Sequence, residues 1–365
     1  MDEKLKVIII GCGRVSVIHL KAIETLKNIL TLKAVVDTNE DAAKKLINGR
    51  KDIKIYNDYT KAIDEIKPDI VAVTVPSGLH FRIADYAMDK GANLLLEKPM
   101  TMNLSEAKSM WKKSKDTGRK IAMGHIYRYL PLVSLIQKDI SMGNYGKVTH
   151  GSIYVRWGHD NETYYDTENW RGTWKIEGGA LMNQSIHAID LLLWLMGSEP
   201  AKCQAMLARR VRKIEAEDTG LANIELENGA LAQIEGTTAT DPDDHRAAFS
   251  IFTEKAQFNI SLIRGKPKLE IRDNKGKKLN FRYIRRQFKE GGLFSFKCAL
   301  NPHLGIYKDL ALSIKENREP LADAYSGLSS IDTLMGIYKS AKENRTIELP
   351  LKEDFGTEEM IGFLD

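Results

Sequence analysis

The first third of the chain alternates short apolar runs with amphipathic stretches. The apolar runs are rich in valine, isoleucine and leucine without polar alternation, which is typical of parallel strands covered on both faces. The stretches between them carry apolar residues at helical spacing. Strand, helix and strand in this order predict βαβ units with right-handed crossovers, and therefore a doubly wound parallel sheet. The runs are LKVIII, TLKAVVD, DIVAVTV, ANLLLE and KIAMGH.

From about residue 146 the pattern changes to period-two alternation, as in VTHGSIYVRW, AKCQAML, GLANIELENG and ALAQIEGTT. This alternation predicts a mostly antiparallel sheet. A long helical pattern over 180–196 interrupts it, and the C-terminal stretch is again helical. We therefore predict an α/β protein with a Rossmann-type parallel domain over residues 1–125. Residues 126–365 should form an α+β domain with a large, mostly antiparallel sheet.

The length of 365 residues suits two domains. The apolar fraction of 43% and the charged fraction of 28% are ordinary for globular proteins and exclude wholesale disorder. The cysteines, Cys12, Cys203 and Cys298, are too scattered for a disulfide framework or a zinc cluster, which favours a reducing, cytoplasmic location. The charged N-terminus and the short apolar runs argue against a signal peptide or a membrane span.

The net charge is only +5, but it is unevenly distributed. Residues 264–289 contain eleven lysines and arginines against Glu270 and Asp273, which leaves a local excess of +9. The alternation in KLEIR and LNFRYIR around an Asn and Gly turn predicts a hairpin with one polar face. This segment is either a solvated or subunit-facing sheet surface or an anion-binding patch, and we expect no nucleic acid to bind.

The strand LKVIII is followed by GCGRVS and then by a helical pattern. In this G-x-G-x-x-S arrangement Gly11 allows a tight turn, Gly13 lets the backbone approach a pyrophosphate, and the small Ser16 permits close packing. The helix N-terminus that follows favours an anion. Arg14 and Val15 complete the loop, and Arg14 either adds a charge to the pyrophosphate or reaches solvent. The alternative is a glycine turn that only joins a strand to a helix.

Asp37 ends the second predicted strand, 24 residues after Gly13. A carboxylate at this place suits hydrogen bonding to ribose hydroxyls and repels a 2′-phosphate. The combination predicts a dinucleotide site that prefers NAD to NADP.

Two further turns follow parallel strands, at the sheet edge where ligands of such folds bind. Glu97 and Lys98 come after ANLLL, and we expect both to lie against the cofactor. A lysine here can stabilise a developing alkoxide, although it can also be an ordinary surface lysine. Pro76 and Ser77 follow the strand IVAVTV and are placed to contact the nicotinamide ribose. His80, just after them, either contacts the cofactor or caps the next helix.

The segment GGALMNQSIHAID carries a polar stripe within an apolar helix. Asn183, His187, Asp190 and Trp194 fall on one helical face. A histidine can accept a hydroxyl proton at neutral pH, and a nearby carboxylate can orient it. The alternative is a salt-bridged histidine with a structural role. The chain contains no G-x-S-x-G, H-E-x-x-H, C-x-x-C or P-loop motif, so we predict no nucleophilic serine and no metal site.

Taken together, GCGRVS, Asp37, VPSGLH, EKP and GGALMNQSIHAIDLLLW resemble the glucose-fructose oxidoreductase, inositol dehydrogenase and rhizopine-catabolism oxidoreductase family. The resemblance extends over essentially the whole chain. It implies an NAD-dependent dehydrogenase acting on a CH–OH group, in which Lys98 and His187 act at the substrate carbinol. It also implies that the C-terminal domain binds substrate and forms homodimers or homotetramers through its exposed sheet.

The details of the motifs indicate a branch of that family. Many members that act on free polyols carry an aspartate where this chain has Asn183, which Gln184 follows. These residues and WRGTW, which contains Arg171, look more like enzymes that oxidise the 3-hydroxyl of UDP-N-acetylglucosamine or its uronate. Arg128 matches an arginine that lies near the substrate in the family. Glu177 departs from the family pattern, because it stands where the first of three glycines is usual.

The resemblance leaves two alternatives to a nucleotide-sugar dehydrogenase. One is a dehydrogenase of a free sugar or inositol. The other, of a different class, is a non-catalytic regulator that senses a nucleotide, because the same fold also serves such a protein. The presence of both Lys98 and His187 favours an enzyme.

Overall fold

The computed structural model describes residues 3–264 and 266–365, so Gly265 of the basic segment lies outside the described residues. Its helices and strands are numbered in chain order. The helices are α1 Ser16–Thr25, α2 Glu40–Ile47, α3 Tyr59–Ile66, α4 His80–Asp89, α5 Leu104–Thr117, α6 Pro131–Ser141, α7 Ile186–Met196, α8 Asn280–Leu300, α9 His303–Glu316 and α10 Ala324–Glu343. The strands are β1 Leu5–Ile10, β2 Leu30–Val36, β3 Lys54–Tyr56, β4 Ile70–Val73, β5 Asn93–Leu96, β6 Ile121–Met123, β7 Val148–Arg156, β8 Pro200–Ala208, β9 Thr219–Leu226, β10 Leu231–Thr237, β11 Arg246–Thr253, β12 Ala256–Ile263, β13 Lys266–Asp273 and β14 Ile347–Glu348.

The chain forms two compact units. The first comprises the chain up to Thr101, Glu106–Leu130 and Phe296–Leu328, and the second comprises the remaining segments. Phe296–Leu328 therefore joins the first unit, although it lies far beyond the expected boundary at residue 125. Helix α9 explains this, because its buried side chains pack against α1, β5 and β6. No helix among the described residues is long and apolar enough to cross a membrane.

The first unit contains a six-stranded sheet in the order β3-β2-β1-β4-β5-β6. All neighbouring strands are parallel, which confirms the doubly wound sheet predicted from the apolar runs. Strands β4 and β5 are buried along their whole length, as parallel strands covered on both faces must be. The order in which successive strands are added changes direction between β1 and β4, which is the topological switch point of the sheet. Ligands of such folds bind at the carboxyl ends of the strands beside this switch point.

The second unit contains an eight-stranded sheet in the order β13-β12-β11-β7-β10-β9-β8-β14. Its pairs are antiparallel except for β7 with β10, which confirms the predicted mostly antiparallel sheet. Helix α7 packs against β7 and β11 and covers one face. Buried and accessible positions alternate along β9, so the other face of the sheet carries more exposed side chains. Its exposed apolar residues include Met206, Leu221 and Leu231.

The helix predicted over 180–196 differs from the structure in its first part. Residues Ala180–Ser185 form a π-helical turn, and the α-helix begins only at Ile186. The chain enters this turn through Gly179, where a Cβ atom would come within 2.2 Å of the Glu217 backbone oxygen. Asn183 and His187 therefore lie on two different kinds of helix, and the prediction of one regular α-helix that carries both is wrong.

The hairpin predicted in the basic segment is also wrong in its second half. Lys266–Asp273 is a strand, and the chain pairs back with it only briefly, through a bridge between Arg272 and Lys278, before α8 begins at Asn280. Strand β13 pairs with β12. Tyr283 of α8 is fully buried, whereas Phe281 is 78% exposed, so the apolar alternation does not mark one sheet face.

Candidate active site

The glycine loop joins the end of β1 to the start of α1. Gly11 has φ +97°, and a Cβ atom there would lie 2.6 Å from the Thr74 carbonyl oxygen, so the position requires glycine. Gly13 is exposed, with open space where a Cβ would stand. Arg14 is exposed and Val15 is half-buried. An anion can therefore reach the backbone N–H groups at this end of the helix.

Asp37 lies beside this loop, just after β2. Its Oδ2 accepts a 2.7 Å hydrogen bond from the backbone N–H of Cys12, and its Oδ1 accepts one of 2.8 Å from the N–H of Asn39. Burial, and then the charge of Asp37, raise the pKa of the Cys12 thiol to about 12. The thiol is therefore protonated, and the carboxylate holds the only charge in this pair.

The loop and Asp37 fit the dinucleotide predicted from the sequence. Val15 precedes α1 and contributes no capping side-chain hydrogen bond. The N–H groups of the first turn are therefore not used by a cap at this position, and they suit a pyrophosphate. A fixed carboxylate next to the loop suits ribose hydroxyls and repels a 2′-phosphate. NAD would therefore be held by Gly11, Gly13 and Asp37.

The turn after β4 places Pro76 and Ser77, both half-buried, at the same sheet edge. His80 differs from its predicted role. Its ring is buried, with Nδ1 2.7 Å from the Pro99 carbonyl oxygen and Nε2 3.0 Å from that of Val75. Burial lowers the pKa of His80. Both nitrogens face backbone carbonyl groups, and a neutral ring can donate its one N–H to only one of them, so the predicted contact of His80 with the cofactor is not supported.

Glu97, which we expected to lie against the cofactor, forms its side-chain hydrogen bonds with two histidines of the first unit. It is buried, and its Oε1 lies 3.0 Å from Nε2 of His19 and 3.0 Å from Nε2 of His303. Nδ1 of His19 lies 3.0 Å from the Tyr307 hydroxyl. Burial by itself would raise the pKa of Glu97, but the hydrogen bonds from the two histidines hold it well below its ordinary value. The carboxylate is therefore an ionised group inside the first unit.

This cluster includes three groups that can ligate metals. The ligand atoms of His19, Glu97 and His303 lie within 4.8 Å of one another, although we predicted no metal site from the sequence. Both histidine nitrogens already contact the same carboxylate oxygen. These contacts satisfy the carboxylate oxygen, while Nδ1 of His303 is buried without a hydrogen-bond partner among the described residues.

Lys98 follows Glu97 at the carboxyl end of β5 and is half-buried. Arg128, predicted to contact the substrate, is buried, and its Nη1 donates a 3.1 Å hydrogen bond to the Leu321 carbonyl oxygen. The arginine thus fastens the segment after α9 within the first unit. This placement gives Arg128 a structural role and does not support the predicted substrate contact.

In the second unit, Glu177 connects several residues near the π-helical turn. Its Oε1 accepts hydrogen bonds from Asn183 Nδ2 at 2.7 Å, from the Tyr164 hydroxyl at 3.2 Å and from Arg171 Nη1 at 3.4 Å. Its Oε2 accepts one of 2.7 Å from the backbone N–H of Gly172. Two predicted substrate residues, Asn183 and Arg171, are therefore brought together by a buried carboxylate.

Arg171 lies between aromatic rings as well as beside this carboxylate. Its guanidinium carbon is 4.2 Å from the Tyr164 ring centroid and 4.7 Å from that of Trp170. Cation–π contacts of this kind orient a planar guanidinium. Burial raises the pKa of Tyr164 to about 12, so its hydroxyl stays a neutral donor to Glu177.

The π-helical turn itself is held by Glu217. Its Oε1 accepts hydrogen bonds from the Leu181 N–H at 2.9 Å and the Tyr338 hydroxyl at 3.0 Å. Burial raises the pKa of Glu217 to about 7. Gln184, in the same turn, is buried, and its Oε1 has no hydrogen-bond partner among the described residues.

His187 lies in the first turn of α7 and is half-buried. Asp190, the carboxylate predicted to orient it, is almost fully buried and accepts a long, 3.5 Å hydrogen bond from the Ser330 hydroxyl. The π-helical turn ends directly before α7, so Glu217 and Glu177 act on the segment that carries His187.

Several residues of these clusters were not predicted as site residues, among them His19, His303, Tyr164, Glu177 and Glu217. Only Glu177 carried a sequence signal, since it stands where a glycine is usual. The histidines lie 78 and 206 positions from Glu97 in the chain, so spacing alone gave no indication of their contacts.

The sequence and structure are similar to those of known oxidoreductases. A model described as "Oxidoreductase family, NAD-binding Rossmann fold" matches residues 5–125, and a "GFO/IDH/MocA C-terminal domain" model matches residues 133–259. D-glucoside 3-dehydrogenase from Escherichia coli K12 is 22% identical over 95% of this chain and 98% of its own length.

Two solved structures are similar over nearly the whole chain. The WlbA dehydrogenase from Bordetella pertussis, in complex with NADH and UDP-GlcNAcA, is 28% identical, with a TM-score of 0.82, over 96% of this chain and 100% of its own. The WlbA dehydrogenase from Chromobacterium violaceum, with the same two ligands, is 26% identical, with a TM-score of 0.85, over 97% of this chain and 98% of its own.

Proposed function

The chain belongs to the GFO/IDH/MocA family of NAD-dependent oxidoreductases, and we propose that it oxidises the 3-hydroxyl of a nucleotide-linked sugar. The substrate would be UDP-N-acetylglucosamine or its uronate. The similarity to two WlbA dehydrogenases crystallised with NADH and UDP-GlcNAcA supports this substrate class. The product would be a 3-keto sugar that remains attached to its nucleotide.

The observation that carries the proposal is the cluster around Glu177. It presents an amide from Asn183 and a guanidinium from Arg171, both held by one buried carboxylate. An amide offers hydrogen bonds without a charge, and a guanidinium between rings can bind an acidic or polar sugar substituent. This polar set lies directly before the helix turn that carries His187.

The proposed chemistry rests on two side chains, Lys98 and His187. NAD, when bound, supplies the acceptor for the hydride of the substrate carbinol carbon. His187 would remove the proton of the hydroxyl group, since a neutral imidazole is a suitable base near pH 7. Lys98 would donate a hydrogen bond to the same oxygen and stabilise the negative charge that develops there.

Cofactor binding would rest on the first unit. Gly11 and Gly13 would let the backbone approach the pyrophosphate, with Arg14 near its charge and Val15 beside the adenosine portion. Asp37 would accept hydrogen bonds from the ribose hydroxyls. Pro76 and Ser77 would border the nicotinamide ribose.

Purified enzyme with NAD and a panel of candidate substrates tests the proposal. We expect the NADH absorbance to rise with UDP-N-acetylglucosamine or its uronate and to stay flat with UDP-glucose, free N-acetylglucosamine and inositols. NMR of the product should show the carbonyl at C3. NADH formed from free inositols but not from the nucleotide sugars would contradict the substrate class and leave the family assignment intact.

We further propose a homodimer or homotetramer in the cytoplasm. The exposed apolar side chains on the open sheet face, Met206, Leu221 and Leu231, support a contact between copies. Sedimentation of wild-type protein and of Leu231→Glu would show whether this face forms the interface. An unchanged oligomer in the variant would contradict the use of this face.

A further inference from the structure

We propose that three buried histidines, His19, His303 and His80, are positioning residues that clamp the chain on both sides of Lys98 and fix the direction of its ammonium group. This inference rests on the proposed function, because it assigns Lys98 to the substrate oxygen. All the groups involved belong to the first unit.

The clamp on the N-terminal side acts through Glu97. Its carboxylate oxygen Oε1 receives Nε2 of His19 from α1 and Nε2 of His303 from α9, each at 3.0 Å. Both nitrogens must carry a proton in order to donate to a carboxylate. Two helices that are distant in the sequence thus hold the residue directly before Lys98.

A further hydrogen bond, with Tyr307, orients the ring of His19. Because His19 donates through Nε2, its neutral ring can accept through Nδ1, and the Tyr307 hydroxyl lies 3.0 Å from that atom. Tyr307 is one helical turn after His303 on α9, and both are buried. Burial lowers the pKa of His19, which favours the neutral ring that this donor pattern requires.

The protein leaves little room for the Glu97 carboxylate to move. A Cβ atom at Gly124 would lie 2.9 Å from its Oε2, so the carboxylate packs directly on this glycine. The Gly124 N–H donates a 2.7 Å hydrogen bond to the Leu96 carbonyl oxygen. The Glu97 N–H donates a 3.1 Å hydrogen bond to the Val73 carbonyl oxygen. Backbone and side chain of Glu97 are therefore both fixed.

The clamp on the C-terminal side acts through Pro99. Its carbonyl oxygen lies 2.7 Å from Nδ1 of His80, and the other ring nitrogen lies 3.0 Å from the Val75 carbonyl oxygen. A neutral ring has one N–H, and we place it on Nδ1, which makes the shorter contact, so His80 donates to the residue directly after Lys98 and packs against the turn after β4. The half-buried Lys98 is flanked by two residues that are anchored to different helices.

A hydrogen-bonded clamp explains this geometry better than a packing core. A core would need only apolar groups of similar volume, whereas a buried ionised carboxylate is costly unless donors satisfy it. Partners that orient metal-binding histidines change activity by about 10-fold to 100-fold when they are removed, and we expect an effect of this size for a clamped lysine.

Four variants of the full-length enzyme separate positioning from packing. Glu97→Gln removes the charge at constant size, His303→Ala removes one donor, and His303→Gln returns a donor at a similar reach. Leu310→Ala is the matched control, because Leu310 is a fully buried residue of the same helix without a polar group.

The first measurement needs no substrate. Competitive labelling of Lys98 with acetic anhydride, read by mass spectrometry in the NAD-free enzyme, reports the accessibility and basicity of its amine. We expect Glu97→Gln and His303→Ala to label Lys98 at least about threefold faster than wild type, because the chain is released and a neighbouring negative charge is lost or misplaced. His303→Gln and Leu310→Ala should label at the wild-type rate.

The second measurement is turnover. In Glu97→Gln and His303→Ala we expect kcat to fall about 10-fold to 100-fold, the Kd of NADH to change less than about twofold, and His303→Gln to recover most of the loss. Leu310→Ala should lower the melting temperature and keep kcat.

The outcomes distinguish a failure of the clamp from a failure of the proposed function. Labelling and kcat at wild-type values in Glu97→Gln and His303→Ala would overturn the clamp, as would an equal loss of kcat in Leu310→Ala. One equivalent of zinc bound by wild type and lost in His303→Ala would also overturn it, because the cluster would then be a metal site. Full activity of Lys98→Ala would instead contradict the proposed function, while the labelling rates would still test the clamp.

Discussion

The amide of Asn183 donates a 2.7 Å hydrogen bond to the buried carboxylate of Glu177. This contact fixes which atom of the amide faces Glu177. Nδ2 donates to Glu177 and, at 2.9 Å, to the Tyr164 hydroxyl, so under the proposed function Oδ1, which can only accept, would be the atom that faces a substrate hydroxyl. A carboxylate behind the amide therefore turns Asn183 into an oriented acceptor.

We expect Glu177→Gln to weaken binding of the nucleotide sugar. Glutamine has the same size but no charge, and its amide cannot accept from Asn183, Tyr164 and Arg171 as a carboxylate does. The KM for the sugar should rise about tenfold, equivalent to about 1.4 kcal/mol, which is close to the lower end of the range for hydrogen bonds to a charged group. The Kd of NADH should not change. Steady-state kinetics and NADH titration measure both.

The matched control for that variant is Glu168→Gln, an exposed carboxylate on the same segment. It should leave the KM at the wild-type value. An equal rise in both variants would show a nonspecific effect of lost charge, and no rise in Glu177→Gln would remove the cluster from substrate binding.

We expect Asp37→Asn to weaken NAD binding and relax the discrimination against NADP. The carboxylate is fixed by the N–H groups of Cys12 and Asn39, so its charge has a defined position beside the glycine loop. Loss of that charge weakens hydrogen bonds to ribose hydroxyls and removes the repulsion of a 2′-phosphate. The Kd of NADH should rise about tenfold, and the ratio of the NADPH and NADH dissociation constants should fall at least as much. Fluorescence titration provides both constants.

Asp41→Asn is the control for this change, because Asp41 is an exposed carboxylate in the first turn of α2. Its cofactor preference should equal that of wild type. If the NADPH to NADH ratio were the same in wild type and Asp37→Asn, Asp37 would not select the cofactor.

The sequence was sufficient to predict both sheets. Parallel strands buried on both faces appear as continuous valine and isoleucine runs, and half-buried antiparallel strands appear as alternation. The prediction of a hairpin in the basic segment was wrong because the residue periods of a strand and of a helix coincide at some positions there. Leu279 and Tyr283 are both buried and lie four residues apart, a spacing that fits a strand face and a helix face equally.

The placement of the candidate residues in the fold was predictable where they follow strands or open helices. Gly11, Asp37 and Lys98 lie at the carboxyl ends of parallel strands, as their position in the pattern indicates. Contacts between distant elements were not predictable. His303 meets Glu97 only because α9 packs against β5, and the local pattern of α9 contains no information about that neighbour.

We expect Lys98→Ala and His187→Ala to lose turnover without losing the cofactor. Both side chains would act on the reacting hydroxyl and neither would hold the dinucleotide, so kcat should fall about a hundredfold or more in each variant. The Kd of NADH should stay within about threefold of wild type. His150→Ala, an exposed histidine of β7, is the control for His187. A His187→Ala enzyme with wild-type kcat would exclude His187 as the base.

The last prediction concerns the pH dependence of stability and arises from Glu217. Burial raises its pKa to about 7 in the folded protein, above the ordinary value of 4.5. Between these two values the folded state holds a proton that the unfolded state has released, so the free energy of unfolding decreases as pH rises from about 4.5 to 7. At 1.36 kcal/mol per pKa unit, this residue lowers the free energy of unfolding by about 3 kcal/mol over that pH range.

Glu217→Gln should remove this dependence, because the amide is neutral at every pH. Urea denaturation at pH 5 and pH 8 measures it. We compare the free energy of unfolding of the variant with that of wild type at each pH. The difference, variant minus wild type, should be larger at pH 8 than at pH 5 by up to about 3 kcal/mol. Glu227→Gln, an exposed carboxylate, should show the wild-type pH profile. Parallel profiles for wild type and Glu217→Gln would mean that Glu217 is already ionised below pH 5, and the support of the π-helical turn would then come from a charged carboxylate.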